Sequence, residues 1–402
     1  MFSANGTDTM RRWDGTTWSA VGYTDGTGTA LKGKIVCEYA KSNRLALARF
    51  PGTTVGNDPS TIRFSNAGDP LTWSADDYID LTPGDGEVIQ AIVPWREYLF
   101  VFKETKFFVF YGESVASDGT VEFVYRPVNA GLGLVAPGAA VAAKDAVYFL
   151  TRTGVYKTVG GEPVRVSNFI DGVFKTRTPA FYSGSVINQS YIQNSVMWTH
   201  KERIYLSVPT SETTNDRTFV FDPTYNWWTV YDFPVNAMAS FRVELGDTDL
   251  MFAFSSGTNN VARHRDVLSL DDDVSIASHW SGGWWDHKQV GIQKVREYYL
   301  SGIGTVSVGM ASDFKNASAF NTIDFAGADL WSDGSNANDL WADGTDPTDL
   351  WSTGSVLDTR AVRRAVRGQS FSLQIRGLGS AWEVHRAAVR IPGTPSPYRI
   401  RG

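Results

Sequence analysis

The chain has 402 residues, of which 42% are apolar and 13% aromatic, with 14 Trp, 38 Gly, one Cys and a net charge of −6. That length exceeds one ordinary hydrophobic core. The acidic balance excludes a surface that grips nucleic acid throughout, the single Cys37 excludes an internal disulfide framework and fits a reducing compartment, and no run reaches the roughly eighteen apolar residues of a membrane helix.

In chain order, the N-terminus Met1-Phe2-Ser3-Ala4-Asn5-Gly6 lacks the charged and apolar regions of a signal peptide. Arg12-Trp13-Asp14-Gly15-Thr16-Thr17-Trp18 reads as two short strands around a tight Asp-Gly turn. Then a plan begins that returns five times: a strand, a charged turn, and a strongly apolar strand. It reads Lys41-Ser42-Asn43-Arg44-Leu45-Ala46-Leu47, Arg96-Glu97-Tyr98-Leu99-Phe100-Val101-Phe102, Lys144-Asp145-Ala146-Val147-Tyr148-Phe149-Leu150, Lys201-Glu202-Arg203-Ile204-Tyr205-Leu206 and Asp247-Thr248-Asp249-Leu250-Met251-Phe252. The spacing of roughly 45 to 57 residues is that of a four-stranded propeller blade.

Between these turns lie further strands. Lys106-Phe107-Phe108-Val109-Phe110-Tyr111 is a nearly continuous apolar run, as expected when neighbouring sheets cover both faces. Gly138-Ala139-Ala140-Val141-Ala142-Ala143 reads as a small-residue innermost strand, with a short Ala-rich helix as the alternative. Phe219-Val220-Phe221-Asp222-Pro223-Thr224-Tyr225-Asn226-Trp227-Trp228 repeats the aromatic–Asp turn–Trp arrangement of the N-terminus, with the Asp closing its turn on backbone amides. The sequence therefore predicts an all-β chain: a β-propeller of about six blades over 1–286, then a small β-sandwich-like module over 287–402.

Within that module, Lys294–Leu300, Gly304–Met310, Ser370–Arg376 and Trp382–Ile391 read as strands. An insertion at about 324–358 carries a ten-residue repeat: Asp329-Leu330-Trp331, Asp339-Leu340-Trp341 and Asp349-Leu350-Trp351, each followed by a polar turn. Leu-Trp pairs on a polar string cannot build a core alone. They read as pegs docking on this domain's own sheet or on a neighbouring subunit. Arg360, Arg363, Arg364 and Arg367, with Arg386, Arg390, Arg399 and Arg401, read as one basic face, either solvated or facing a subunit's acidic residues, with DNA contact as the alternative.

Catalytic signals are weak. A glycosidase needs two facing carboxylates, or a tyrosine nucleophile with a carboxylate partner, and no such pair stands out among 43 acids. The five His show no ligand spacing, Asp271-Asp272-Asp273 lacks the alternation of a Ca²⁺ loop, and no phosphate loop or nucleophilic triad is signalled. The expectation is therefore no enzyme, no cofactor and no metal.

Three stretches carry a resemblance. They are Ser65-Asn66-Ala67-Gly68-Asp69-Pro70-Leu71-Thr72-Trp73 with Tyr78–Gly86, Leu99–Lys103 leading to Phe107–Gly112, and Gly133–Pro137 leading to Val147–Tyr156. With the Leu-Trp decapeptides and the Arg-rich closing strands, this pattern resembles the nozzle or tubular tail proteins of short-tailed bacteriophages. The resemblance implies a virion tail component, assembled in the host cytoplasm into a homo-oligomeric ring, usually a hexamer. The ring would join portal and adaptor to the tail fibre or tip proteins, with genomic DNA passing through its lumen. It places the contacts on Leu330, Trp331, Leu340, Trp341, Leu350, Trp351, Arg363, Arg364 and Arg367. The alternatives are a receptor- or glycan-binding tail tip, with exposed Trp and Tyr stacking on sugars, and a glycosidase acting on the host envelope.

Overall fold

A computed structural model describes residues 1–22, 30–54, 56–115, 117, 121–128, 130–175, 186–210, 213–232, 234–244, 247–254, 261–264, 270–271, 274–275, 277–282, 285–286, 293–313, 315, 317–325, 358–368, 370–378, 383–390 and 398–400. The chain divides into two compact units, Met1–Pro179 with Gly184–Arg265, and Ala180–Ser183 with Asp266–Gly402.

In the first unit the antiparallel sheets follow one another in sequence. Phe2–Ser3, Arg11–Trp13 and Trp18–Ala20 form a three-stranded N-terminal sheet. Blade 1 is Ile35–Tyr39, Arg44–Ala48, Thr61–Asn66 and Asp69–Asp80. Blade 2 is Ala91–Trp95, Tyr98–Phe102, Phe107–Val115 and Val121–Val128. Blade 3 is Ala140–Ala142, Val147–Thr151, Gly154–Thr158 and Val164–Arg165, and blade 4 is Val196–His200, Arg203–Val208, Arg217–Asp222 and Trp227–Tyr231. Blade 5 shows three strands among the described residues, Val235–Glu244, Asp247–Phe254 and Val261–His264. Each of blades 1–4 is a simple meander. The first strands of all five blades line one cavity, which is the arrangement of a β-propeller.

The repeated charged turns joined the first and second strands of each of these five blades. The small-residue segment is a strand, Ala140–Ala142, paired with Val147–Thr151, and Ala140 lines the cavity. The N-terminal hairpin supplies the sixth sheet. It packs beside blade 1, where Met10, Val21 and Leu31 bury against Leu47, Phe50 and Trp73, and contributes nothing to the cavity lining.

Aromatic and aliphatic side chains fill the wedges between sheets. Phe64, Leu81 and Ile89 meet Leu99, Val101 and Phe110 between blades 1 and 2. Phe102 and Phe149 stack between blades 2 and 3 at 5.0 Å, and Tyr148 lies 6.0 Å from Phe221 between blades 3 and 4. Val220 and Tyr205 bury with Leu250 and Phe252 between blades 4 and 5. Each such side chain contributes about 1.5–3 kcal/mol by leaving water, so these wedges, not the surface charges, hold the blades together.

The second unit is built on one long strand, Gln293–Ser312, of 20 residues. Its first half pairs with Asp358–Gly368 on one side and Glu383–Arg390 on the other. Its second half pairs with Asn321–Phe325 and Ser370–Leu378. One strand thus serves two sheets, and a single core of Val295, Tyr298 and Leu300 with Val308, Phe371 and Ile375 lies between them, as in a sandwich. Ala277–Ser281 and Trp285–Asp286 also pair with Ser370–Leu378. The expected division at 286/287 therefore moves to 265/266, because these strands belong to the second unit's sheet.

Candidate functional site

The rim of the propeller is built by the repeated turns. Lys41 Nζ of the blade 1 turn lies 3.0 Å from Glu97 of the blade 2 turn. Arg96 Nη2 of blade 2 donates to the Lys144 carbonyl of blade 3 at 3.2 Å. Lys144 Nζ in turn lies 2.7 Å from Glu202 of blade 4. Each turn holds the next by the same pairing of cation and acceptor, which explains why the sequence repeats charge there. Three of these turns need left-handed backbone at residues other than glycine: Asn43 has φ 49, Arg96 has φ 54, and Lys201 and Glu202 have φ 46 and 65.

Beneath the rim lie indole hydrogen bonds. Trp95 Nε1 donates to the Ala143 carbonyl at 2.7 Å, joining blades 2 and 3, and Trp198 Nε1 donates to Ser240 Oγ at 3.0 Å, joining blades 4 and 5. On the other hairpin ends, Arg152 of blade 3 reaches Glu104 of blade 2 at 2.9 Å.

The axial cavity has a volume of about 400 Å³ and is lined by all five blades. Its walls are mostly apolar, from residues such as Ile35, Ile92, Val93 and Met238. Its polar lining residues are Lys34, Arg49, Gln90 and Asn236. No carboxylate lines it. Burial draws the Arg49 guanidinium below its ordinary value, but arginine stays charged in proteins.

The Asp turns do what their sequence implied. Asp14 accepts from the amides of Thr16 and Thr17 at 2.8 Å each, and Trp13 packs against Trp18 at 5.5 Å. Asp222 accepts from Thr224 N at 2.9 Å, and beyond that turn Tyr225 and Trp227 stack at 5.0 Å while remaining 67% and 54% exposed. A tyrosine–carboxylate pair does exist. Tyr148 Oη donates to Asp145 Oδ2 at 2.8 Å. Burial first, and then this bond, push the Tyr148 phenol far above its ordinary range. The residue is fully buried. A nucleophile needs the opposite on both counts, so this pair locks blade 3 internally.

The sequence reading missed a buried cation. Lys103, in the turn after the second strand of blade 2, is fully buried. Its Nζ lies 2.9 Å from both Asp85 carboxylate oxygens, 2.9 Å from Ser60 Oγ and 3.1 Å from Thr82 Oγ1. Burial pushes the Asp85 carboxyl upward, but the Thr82 hydroxyl, the Lys103 and Lys106 ammonium groups and the Glu87 amide outweigh it and hold the group well below the usual carboxylate range.

Of the expected contact residues, Leu330, Trp331, Leu340, Trp341, Leu350 and Trp351 lie outside the described residues. Arg363, Arg364 and Arg367 fall on the strand Asp358–Gly368. The register sets Arg363 and Arg390 opposite Glu297, and Arg386 opposite Ser301. Tyr298 and Leu300, which alternate with Glu297 and Ser301 on the same strand, are buried. Arg364 falls in the bulge that the pairing shows between Val295 and Glu297, and Arg367 sits opposite Lys294. One bulge therefore separates Arg363 from Arg367, and Arg364 lies within it. Among the described residues no cluster of three or more His, Cys, Asp or Glu is placed to hold a metal, and no helix is long and apolar enough to cross a membrane.

No family model matches the chain, and no curated protein matches it. Among solved structures it is similar to the extracellular domain of the putative one component system BT4673 from B. thetaiotaomicron, at 10% identity and a TM-score of 0.37, covering 68% of this chain and 33% of that one. It is also similar to BBS1N in complex with ARL6DN, at 16% identity and a TM-score of 0.38, covering 70% of this chain and 79% of that one. The chain thus spans about a third of the first of these. The propeller assignment rests on the strand pairing and the shared cavity of this chain itself.

Proposed function

We propose that the chain is a structural, nozzle-like component of a short-tailed phage tail. In this reading it assembles into a homo-oligomeric ring, a hexamer, around the DNA exit channel and joins portal and adaptor to the distal tail proteins. The observation that supports it is the register of the second unit's long strand, which sets Arg363 and Arg390 opposite Glu297 and Arg386 opposite Ser301, in a chain whose net charge is −6. A cationic patch on an acidic molecule favours contact with a different, acidic patch on the next copy. Such head-to-tail contacts make a ring when the rotation closes.

The size of the axial cavity supports a channel between copies. At about 400 Å³, walled by five blades, it holds a small molecule and not a duplex. A DNA passage therefore runs between copies, and each propeller acts as a rigid wall stave. Charge reversal tests the contact: Arg363→Glu with Arg390→Glu would leave the monomer folded and abolish assembly. Assembly unchanged by the double reversal would contradict it.

The exposed Tyr225–Trp227 stack supports a second reading, a glycan-binding tail tip, since paired rings of this kind stack on sugar faces. A glycan array separates the two readings. Binding by an unassembled chain, lost in Trp227→Ala, would favour the tip.

A further inference from the structure

We infer that the axial cavity of the propeller is a binding site for a small organic anion with a flat apolar body, held by Lys34 and Arg49. The inference does not depend on the tail reading. It starts from a placement that stability alone does not explain. Lys34 immediately precedes the first strand of blade 1 and Arg49 immediately follows the second. Ile35 pairs with Ala48, and the Lys34 amide donates to the Ala48 carbonyl at 2.9 Å and the Arg49 carbonyl at 3.1 Å, so the two residues flank the end of one hairpin and both line the cavity.

No described residue neutralises either cation. Neither side chain makes a hydrogen bond or ion pair there, whereas Lys41, Lys103, Lys144 and Arg152 in the same unit are all paired. The cavity that Lys34 and Arg49 line contains no carboxylate to neutralise them. Arg49 is also partly desolvated, as its lowered value shows, and a desolvated guanidinium gains most from an anion brought to it. Its backbone is left-handed at φ 59, a conformation that an L side chain adopts only at a cost.

The chemistry of the walls defines the rest of the ligand. Lys34 offers three donors and Arg49 a planar fork, which suit the two or three oxygens of a carboxylate or phosphoryl group. Gln90 and Asn236 add amides able to donate or accept. Beyond them Ile92, Val93, Met197 and Met238 offer an apolar wall, and Trp198 a ring whose N–H is already committed to Ser240. The volume of about 400 Å³ lies in the range of small-ligand sites, which are mostly apolar with a few converging polar groups.

Isothermal titration of the full chain tests this with three probes of one shape: 2-naphthoate, 2-naphthyl phosphate and neutral 2-naphthamide. One anion binds at one site per chain, at least tenfold tighter than the amide, and which anion binds tighter distinguishes a carboxylate from a phosphoryl ligand. Lys34→Gln and Arg49→Asn each weaken anion binding tenfold or more and leave amide binding unchanged; Asn is chosen because it tolerates the left-handed backbone. The ligand-free melting temperature of Lys34→Gln stays the same, since that side chain makes no hydrogen bond or ion pair among the described residues. Should Arg49→Asn fail to fold, the exposed Lys34 carries the test alone. Equal binding of acid and amide, anion binding unaffected by Lys34→Gln, or no anion binding up to millimolar concentration would each overturn the inference.

Discussion

Lys103 Nζ sits 2.9 Å from both carboxylate oxygens of Asp85, with no exposure of its own, and this pair ties the loop between blades 1 and 2 to the second hairpin of blade 2. The two partners are not equivalent. Asp85 has a second cation, Lys106, at 2.9 Å, whereas Lys103 has only hydroxyls and the Thr82 carbonyl besides Asp85.

Asp85→Asn is therefore expected to cost about 3 kcal/mol, because it strands a buried ammonium. Lys103→Met is expected to cost less, because Asp85 keeps Lys106 and Thr82. Urea unfolding midpoints of the two variants check the order, and a larger loss in Lys103→Met would contradict it.

The same pair sets an acid limit. The Asp85 carboxyl is depressed in the folded chain, so its contribution is fully present above the unfolded value of about 3.9 and is lost as pH falls through the lower folded value. The stability gap between wild type and Asp85→Asn is expected to be flat from pH 5 to 8 and to close below about pH 4. Urea midpoints taken at each pH measure it.

The rim pairs and the wedge residues differ in weight. Lys144 and Glu202 are 83% and 65% exposed, so a double-mutant cycle between them is expected to show little coupling, and less in high salt. Trp95 is buried and donates to Ala143, so Trp95→Ala is expected to cost about 3–5 kcal/mol.

Cys37 offers a chemical check. Burial first, and then Glu38, push its thiol up to about 12. At pH 8 it is expected to resist a thiol reagent in the folded chain and to react at once in denaturant. Fast labelling of the native chain would show that this part of blade 1 is open.

The elements repeated in the sequence were legible because each rim turn uses charge to bind the next turn, so the physics itself repeats. Lys103 was not, since a lysine closing the apolar run Leu99–Phe102 looks the same whether it points to water or to Asp85, eighteen positions away in sequence. Lys34 and Arg49 were hidden for a related reason: only the fold brings both to the lining of one cavity. The unit boundary was misplaced because Ala277–Ser281 finds its partner in Ser370–Leu378, a pairing too distant for local pattern to reveal. The Arg-rich strands were read in outline, but the bulge that sets Arg364 out of step with Arg363 appears only in the pairing.

The mass and symmetry of the assembled species test the central claim most directly. Mass photometry and negative-stain images of the full chain, alone and with its adaptor, are expected to show a closed ring of six copies with an open central passage. A chain that stays monomeric at high concentration, with and without adaptor, would contradict the account.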